Sequence, residues 1–165
     1  GTNLLDITIP QTPPQRTDGD GFVVRRVIDA DNSCLFNSIG YVLMDRSLKS
    51  ASKLRDSVAK AVRDDPTLYS EAFLGKPPLE YIDFIKSSTA WGGQIELLVF
   101  SRIFQCEIAA CDVIRNRVDV YGQGEGYIRR VYVIYDGIHY DCLAYTFDPS
   151  MPQDADVTQF STDDD

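Results

Sequence analysis

The chain has 165 residues, of which 44% are hydrophobic and 25% charged, and this composition excludes disordered, collagen-like and low-complexity proteins in favour of one globular domain. Its 16 basic and 25 acidic side chains give a net charge of −9, which argues against nonspecific binding to nucleic acid or to an anionic membrane. No apolar run approaches the length of a membrane span and no signal-peptide pattern is recognisable, so we expect neither.

Composition at both ends of the chain predicts linkers. Residues 1–21 contain three prolines among polar residues, and residues 148–165 contain two prolines and end in three consecutive aspartates. Such segments favour extended, solvated chain over packed structure. We therefore expect one domain at residues 22–147, between an N-terminal linker at 1–21 and an acidic C-terminal linker at 148–165.

The first half of the domain is predicted to be mainly helical. A β-branched run at residues 22–28 predicts one strand. Residues 33–104 then show helical spacing, with an amphipathic helix whose apolar face includes Leu54. Because proline is tolerated in a first helical turn, further short helices are expected to begin at Pro66 and at Pro78.

The second half is rich in strand-forming residues. Strands are predicted at residues 106–113, 118–121, 130–135 and 138–145. The turn-like stretches between them, including the glycine-rich residues 122–126, indicate hairpins. A helical block followed by a strand meander predicts an α+β fold, in which a mostly antiparallel, twisted sheet packs against helices.

Four scattered cysteines do not predict disulfides or a metal site. They form no C-x-x-C motif, and the chain has a single histidine, so both a disulfide framework and zinc-ligand spacing are lacking. We expect free thiols, no metal and no other cofactor, in a cytoplasmic and possibly nuclear compartment. Cys106, Cys111 and Cys142 lie in apolar strands and are expected to pack in the core.

The segment around Cys34 carries the first chemical signal. Asp31, Asn32 and Ser33 are all residue types that cap helix N-termini, so Cys34 is expected in the first turn of a helix. Unpaired N–H groups and the helix dipole at such a position favour a thiolate and can bind an oxyanion. By itself the segment leaves open the alternative that Cys34 is a buried packing residue.

His139 and Asp141 carry the second signal. On a strand, residues two apart point to the same face, so the Asp141 carboxylate can hold one imidazole nitrogen and leave the other to act as a base. A cysteine, an oriented imidazole and a carboxylate together form a nucleophile, a base and an orienting group. A lone histidine that only packs is the alternative, and the combination with Cys34 favours catalysis.

The tripeptide Trp91-Gly92-Gly93 carries the third signal. Paired glycines allow close approach of two backbones. The simplest interpretation is a tight turn with Trp91 filling the core. A functional interpretation is that the aromatic ring and the glycines form the wall of a narrow slot for an extended peptide.

Together, D-A-D-N-S-C-L-F, W-G-G-Q-I-E-L and G-I-H-Y-D resemble the signatures of the ovarian-tumour (OTU) family of deubiquitinating cysteine proteases. The resemblance extends over residues 24–145 and is greatest to the Otu-one-type branch of ubiquitin thioesterases. It implies a papain-like cysteine protease fold. It also implies hydrolysis of isopeptide bonds in polyubiquitin, in the degradation of misfolded endoplasmic-reticulum proteins together with the valosin-containing AAA ATPase.

The resemblance also implies roles for individual residues. Cys34 would be the nucleophile, His139 its base and Asp141 the residue that orients the imidazole, while Asp31 would help shape an oxyanion hole made by N–H groups of residues 31–34. The residues implied to bind substrate are Asn32, Ser33, Trp91, Gly92, Gly93, Gly137 and Ile138.

Ubiquitin and polyubiquitin chains are the implied partners. Because an isopeptide bond to ubiquitin follows Gly-Gly, a slot too narrow for side chains would select it. The AAA ATPase would bind only through flanking domains outside this sequence, and the chain is expected to be a monomer that binds neither nucleic acid nor membrane. Two alternatives remain at this point: a catalytically silent ubiquitin-binding module, and a protease for another ubiquitin-like modifier.

Overall fold

A computed structural model describes residue 7 and residues 19–163 of the chain. The helices are α1 (Cys34–Leu43), α2 (Ala51–Asp64), α3 (Glu71–Leu74), α4 (Pro78–Lys86) and α5 (Gln94–Phe104), and a single 3-10 turn spans Gln153–Ala155. The strands are β1 (Phe22–Arg26), β2 (Glu107–Asp112), β3 (Arg117–Tyr121), β4 (Arg129–Tyr135), β5 (Tyr140–Thr146) and β6 (Phe160–Ser161). The predicted α+β class is confirmed. Within the described ranges no helix is long and apolar enough to cross a membrane.

The strands form one mixed sheet. Its order is β1-β5-β4-β2-β3, and β6 pairs with β4. β2 and β4 are parallel, while the other pairs of named strands in the described part of the chain are antiparallel. The prediction of a hairpin at residues 122–126 is therefore wrong. These residues connect β3 to a strand on the far side of β2, and the three glycines among them have positive φ angles.

Helix α1 packs directly on the sheet, and this packing brings the N-terminus of α1 close to β5. Phe36 and Ile39 on α1 are fully buried, as is Cys142 on β5. Phe36 contacts Phe100 of α5 edge to face, with ring centroids 6.0 Å apart, an arrangement that aromatic pairs prefer. This packing places the N-terminus of α1 beside the N-terminus of β5.

Two of the predicted helix features are confirmed and one is wrong. Leu54 is fully buried on the inner face of α2, and Pro78 is the first residue of α4. Pro66 does not begin a helix. It lies in a turn, and the next helix begins at Glu71, where the Ser70 side chain accepts a hydrogen bond from the Phe73 N–H, as N-cap residues do.

Cys106 and Cys142 are buried packing residues, as predicted. Burial raises the pKa of each thiol to about 12. Such thiols stay protonated near neutral pH and are poor nucleophiles. Cys111 is only half-buried, which differs from the expected core position.

The C-terminal segment is folded where it is described, so the prediction of a solvated linker from residue 148 is wrong. Asp156 is 4% exposed, accepts two hydrogen bonds from the Arg26 guanidinium at 2.7 and 2.8 Å, and accepts a third from the Tyr41 hydroxyl at 2.6 Å. β6 then adds to the sheet. The proline-rich composition of this segment gave no indication that Asp156 is buried and bound by Arg26 and Tyr41.

Most of the predicted N-terminal linker, residues 1–21, lies outside the described residues. Ile7 is described, and it is buried against the hydrophobic core with 7% exposure. A fully solvated linker is therefore wrong at this position. β1 begins at Phe22, as the strand pattern predicted.

Candidate active site

Cys34 lies where α1 and β5 meet. It is the first residue of α1, directly after the N-cap Ser33, and it is half-buried. The backbone N–H of Tyr140 donates to its Sγ at 3.5 Å. This contact places the thiol next to the residue that follows His139.

Burial controls the protonation of Cys34 more strongly than the helix terminus does. Removal from water raises the pKa of the thiol, the N–H groups of Tyr140 and Leu35 oppose this, and the negative charge of Asp31 raises the pKa further. The net direction is upward. The N–H groups at the helix N-terminus favour the thiolate, as predicted, but burial outweighs them, so the thiol needs a base at the moment of attack.

The raised pKa predicts how Cys34 reacts with a small electrophile. Because the thiolate is the reactive form and the thiol pKa lies above its ordinary value of 9.0, the alkylation rate should keep rising as the pH passes 9. The measurement is the rate of iodoacetamide labelling of Cys34 against pH, followed by peptide mass spectrometry, with Cys34→Ala to identify the signal of half-buried Cys111. A rate already maximal at pH 7 would contradict the prediction.

His139 lies in the turn immediately before β5. Its backbone N–H donates to Asp136 Oδ1 at 2.8 Å, as does that of Ile138 at 3.0 Å, and these hydrogen bonds lower the pKa of the Asp136 carboxyl. Gly137 allows this turn because its φ of +100° lies in the left-handed region. The Asp136-Gly137 pair predicted a turn between two strands, and β4 and β5 do pair antiparallel on either side of it; the hydrogen bonds that Asp136 accepts were not predicted.

The His139 ring is held by Asp141. Its Nε2 lies 2.7 Å from Asp141 Oδ1. Because this nitrogen is engaged with the carboxylate, Nδ1 is the ring nitrogen left to exchange a proton. His139 and Asp141 therefore meet as predicted, but β5 begins at Tyr140, so His139 lies just before the strand and not on it, as the predicted strand at 138–145 required.

Asp141 is a buried anchor for three partners. It is 2% exposed and, besides His139, accepts from the backbone N–H of Ile28 at 2.7 Å and from Arg25 Nε at 2.7 Å. Burial opposes its ionisation, but the hydrogen bonds from Ile28, Arg25 and His139 outweigh burial and lower the pKa of the carboxyl. The carboxylate therefore stays ionised next to the imidazole.

The loop before Cys34 is shaped by Asp31. Its Oδ1 accepts the Ser33 N–H at 2.8 Å, and its own N–H donates to the Asp29 carbonyl at 2.9 Å. These bonds occupy the N–H groups of Asp31 and Ser33. Of the four N–H groups predicted to bind an oxyanion, those of Asn32 and Cys34 therefore remain as candidates.

A cleft of about 320 Å³ opens beside Cys34. Six of the seven predicted substrate-binding residues line it: Asn32, Trp91, Gly92, Gly93, Gly137 and Ile138. Ser33 does not line it, because its hydroxyl accepts from Arg55 instead, at 3.0 Å.

Trp91 and Gly92 form one wall of this cleft. Trp91 is 59% exposed, so the interpretation of this residue as a core plug is wrong, and its Nε1 donates to Asn32 Oδ1 at 2.6 Å. A Cβ on Gly92 would lie 2.4 Å from Leu35 Cδ2. The absence of a side chain at Gly92 lets this wall pack directly on α1.

Three further side chains near the cleft were not predicted. Tyr140 supplies the N–H to Cys34 and stacks on Tyr135, with ring centroids 4.5 Å apart. Glu96 is buried and accepts the N–H of Gly93 at 2.8 Å, and burial raises its pKa. A charged residue inside the apolar run after Gly93 was the available signal for Glu96.

Comparisons with known proteins agree with this geometry. A family model of OTU-like cysteine proteases matches residues 29–142. Over 99% of its length the chain is 42% identical to ubiquitin thioesterase OTU1 of Dictyostelium discoideum, of which it covers 51%. Over 87% of its length it is 46% identical to ubiquitin thioesterase OTU1 of Homo sapiens, of which it covers 41%. The chain thus spans about half the length of these curated relatives.

Solved structures match the fold. An ovarian tumour (OTU) domain in complex with ubiquitin aligns with a TM-score of 0.72 and 27% identity, over 84% of this chain and 81% of that one. The Hazara virus OTU structure aligns with a TM-score of 0.58 at 24% identity, over 76% of this chain and 82% of that one, and supports the fold alone. From the family match and the site geometry together, the chain belongs to the OTU-like cysteine protease family.

Proposed function

We propose that this chain is the catalytic domain of a deubiquitinase that hydrolyses isopeptide bonds of polyubiquitin through Cys34, His139 and Asp141. The observation that carries the proposal is the hydrogen bond from the Tyr140 N–H to Cys34 Sγ, because Tyr140 directly follows His139, whose Nε2 is held by Asp141. The relatives named ubiquitin thioesterase support the choice of substrate.

The chemistry follows from these positions. His139 Nδ1 accepts the Cys34 proton as Sγ attacks the isopeptide carbonyl carbon, and the carbonyl oxygen becomes an oxyanion facing the N–H groups of Asn32 and Cys34. The tetrahedral intermediate collapses, the C–N bond breaks, and His139 gives its proton to the departing lysine amine. Water, deprotonated by the same imidazole, then hydrolyses the thioester, releases the ubiquitin carboxylate and restores the thiol.

The cleft fits a glycine-ended acyl group. Gly92 and Gly137 contribute no side chains to its walls, and the family resemblance implies a substrate tail with arginines followed by Gly-Gly. Asp112, Asp119 and Arg115 also line the cleft, and the two carboxylates lie near arginines, Asp112 at 4.0 Å from Arg115 and Asp119 at 3.2 Å from Arg117. The attraction to a basic tail therefore comes mainly from the net charge of −9. Complementary charge of this kind increases the association rate and makes capture sensitive to salt.

The wider role belongs to the same proposal. The Otu-one-type resemblance supports a place in endoplasmic-reticulum-associated degradation with the valosin-containing AAA ATPase, in the cytoplasm, with the catalytic domain acting as a monomer. Because the chain covers about half of its relatives, recruitment of the ATPase is assigned to segments outside this sequence.

A ubiquitin probe with an electrophilic C-terminus tests the proposed function. Intact-mass spectrometry should show one adduct, located on Cys34, that disappears in Cys34→Ala and forms at least about 100-fold more slowly in His139→Ala, because the general base is then missing. Cys111→Ala removes the other half-buried thiol and serves as the matched control, with unchanged labelling.

The other outcomes separate the alternatives. A folded protein that binds ubiquitin but forms no adduct would be a silent binding module. Labelling by probes of another ubiquitin-like modifier, without labelling by the ubiquitin probe, would reassign the substrate. Either result would overturn the proposal.

A further inference from the structure

Arg55 is a buried cation that the proposed mechanism does not use. It lies on α2 and is 2% exposed. Among the described residues, the acceptors of its hydrogen bonds are three backbone carbonyls and one hydroxyl rather than a carboxylate. Burial lowers the pKa of this guanidinium, and the negative charges of Glu96 and Asp31 oppose this only in part, so the charge is held here at a cost.

One side of the guanidinium holds the segment that carries the nucleophile. Nη2 donates to the Asn32 carbonyl at 3.1 Å and to Ser33 Oγ at 3.0 Å, and the guanidinium carbon lies 4.2 Å from the ring centroid of Phe36. The peptide between Asn32 and Ser33 is therefore held at both ends, because Asp31 binds its N–H. This peptide leads directly into Cys34.

The guanidinium also holds the segment that leads to the cleft wall formed by Trp91 and Gly92. Nη1 donates to the Ile85 carbonyl at 3.2 Å, and Nη2 also lies 3.4 Å from the Ser88 carbonyl. Three residues further along, Trp91 Nε1 donates to Asn32 Oδ1. Asn32 is thus bound through its backbone by Arg55 and through its side chain by Trp91.

We propose that Arg55 is a positioning residue that fixes the nucleophile loop, residues 31–34, against the wall loop, residues 88–93. It acts through Asn32, whose N–H is one of the two oxyanion donors assigned above, and it does not touch substrate. The proposal rests on the proposed function. It adds that Arg55 sets the distance between the Cys34 thiol and the wall loop. Displacements of about 1 Å in such a site cost about 100-fold in rate.

The test compares Arg55→Lys with Arg129→Lys. Lysine keeps the charge but cannot span both loops with a planar fork of donors. Arg129 is also buried and donates to Gln159 Oε1 at 2.8 Å, so its variant controls for the general cost of changing a buried arginine. Trp91 is the only tryptophan of the chain, and its fluorescence emission therefore reports on the wall loop alone.

We expect Arg55→Lys to lower kcat for a ubiquitin substrate by about 10- to 100-fold and to change KM by less than about threefold. Here kcat is calculated per active site, and the active sites are counted by titration with the ubiquitin probe. Its Trp91 emission should shift toward that of Asn32→Ala, which lacks the indole acceptor. Arg129→Lys should leave both kcat and emission unchanged. A kcat and an emission spectrum of Arg55→Lys equal to those of Arg129→Lys would overturn the proposal.

Two further measurements keep the test decisive. If Arg55→Lys does not fold, Ser33→Ala removes one acceptor of Arg55 while α2 stays intact. It should lower kcat by about two- to fivefold and shift the emission in the same direction, and a Ser33→Ala protein identical to wild type would then overturn the proposal. Trp91 emission needs no ubiquitin, so it tests Arg55 even if the wild type shows no turnover and the proposed function fails.

Discussion

Replacing Asp141 by alanine should reduce kcat by about 100- to 1,000-fold, because the His139 ring loses the partner that holds its Nε2. The same change leaves the Ile28 N–H buried without its acceptor and should lower the free energy of unfolding by about 2–4 kcal/mol. Steady-state kinetics on diubiquitin and urea unfolding measure the two effects separately.

Asp141→Asn is the matched variant. An amide oxygen can still accept from Ile28 and from the imidazole, and cysteine, histidine and asparagine form a working triad in papain-like proteases, so kcat should stay within about tenfold of wild type. An asparagine variant as inactive as the alanine variant would contradict the role assigned to the hydrogen bond.

Acid unfolding gives Asp141 a second test. Its pKa is lowered from the ordinary 3.8, so its stabilising contribution is complete above pH 3.8 and is lost as the pH falls through the lowered value. Asp141→Asn should therefore flatten the acid limb of stability against pH. Arg25→Gln changes a partner whose side chain is 43% exposed and should have a much smaller effect.

Truncation after residue 147 should destabilise the domain by about 3–5 kcal/mol, a large share of the 5–15 kcal/mol typical of whole proteins. The truncated chain loses Asp156, which binds both Arg26 and Tyr41, and it loses the pairing of β6 with β4. Chemical unfolding of the full chain and of residues 1–147 measures the difference.

Single substitutions locate the origin of this effect. Asp156→Asn should account for much of the loss and flatten the acid limb, since the pKa of Asp156 is lowered by its bonds to Arg26 and Tyr41 despite burial. Asp154→Asn alters an exposed neighbour and should leave stability unchanged. Equal unfolding midpoints for residues 1–147 and for the full chain would restore the prediction of a linker.

Local signals predicted the parts of the site that depend on neighbours in sequence. Three capping residues placed Cys34 at the start of a helix, and the two-residue spacing of His139 and Asp141 predicted their contact, although His139 lies just before β5. The Asp136-Gly137 pair predicted the turn in which Gly137 has a positive φ. Each of these features is decided within a few residues.

The remaining features depend on partners far away in sequence. Arg55 occupies the core-facing side of α2, and its acceptors lie 22 to 33 residues away in both directions, so no periodic pattern reveals it. Asp156 pairs with Arg26 across 130 residues. The parallel pairing of β2 with β4 likewise depends on the order of the whole sheet, which hairpin signals do not encode.

The position of β5 in the chain also determines when, during synthesis and folding, the site around Cys34 can form. Cys34 and Tyr140, the β5 residue that it contacts, are separated by 106 residues, and β5 must insert between β1 and β4 before the two meet. Contacts of such large sequence separation form late in folding. During synthesis, Cys34 therefore leaves the ribosome before its neighbours on β5 exist. The proposed active site can form only after β5 has been synthesised and inserted into the sheet.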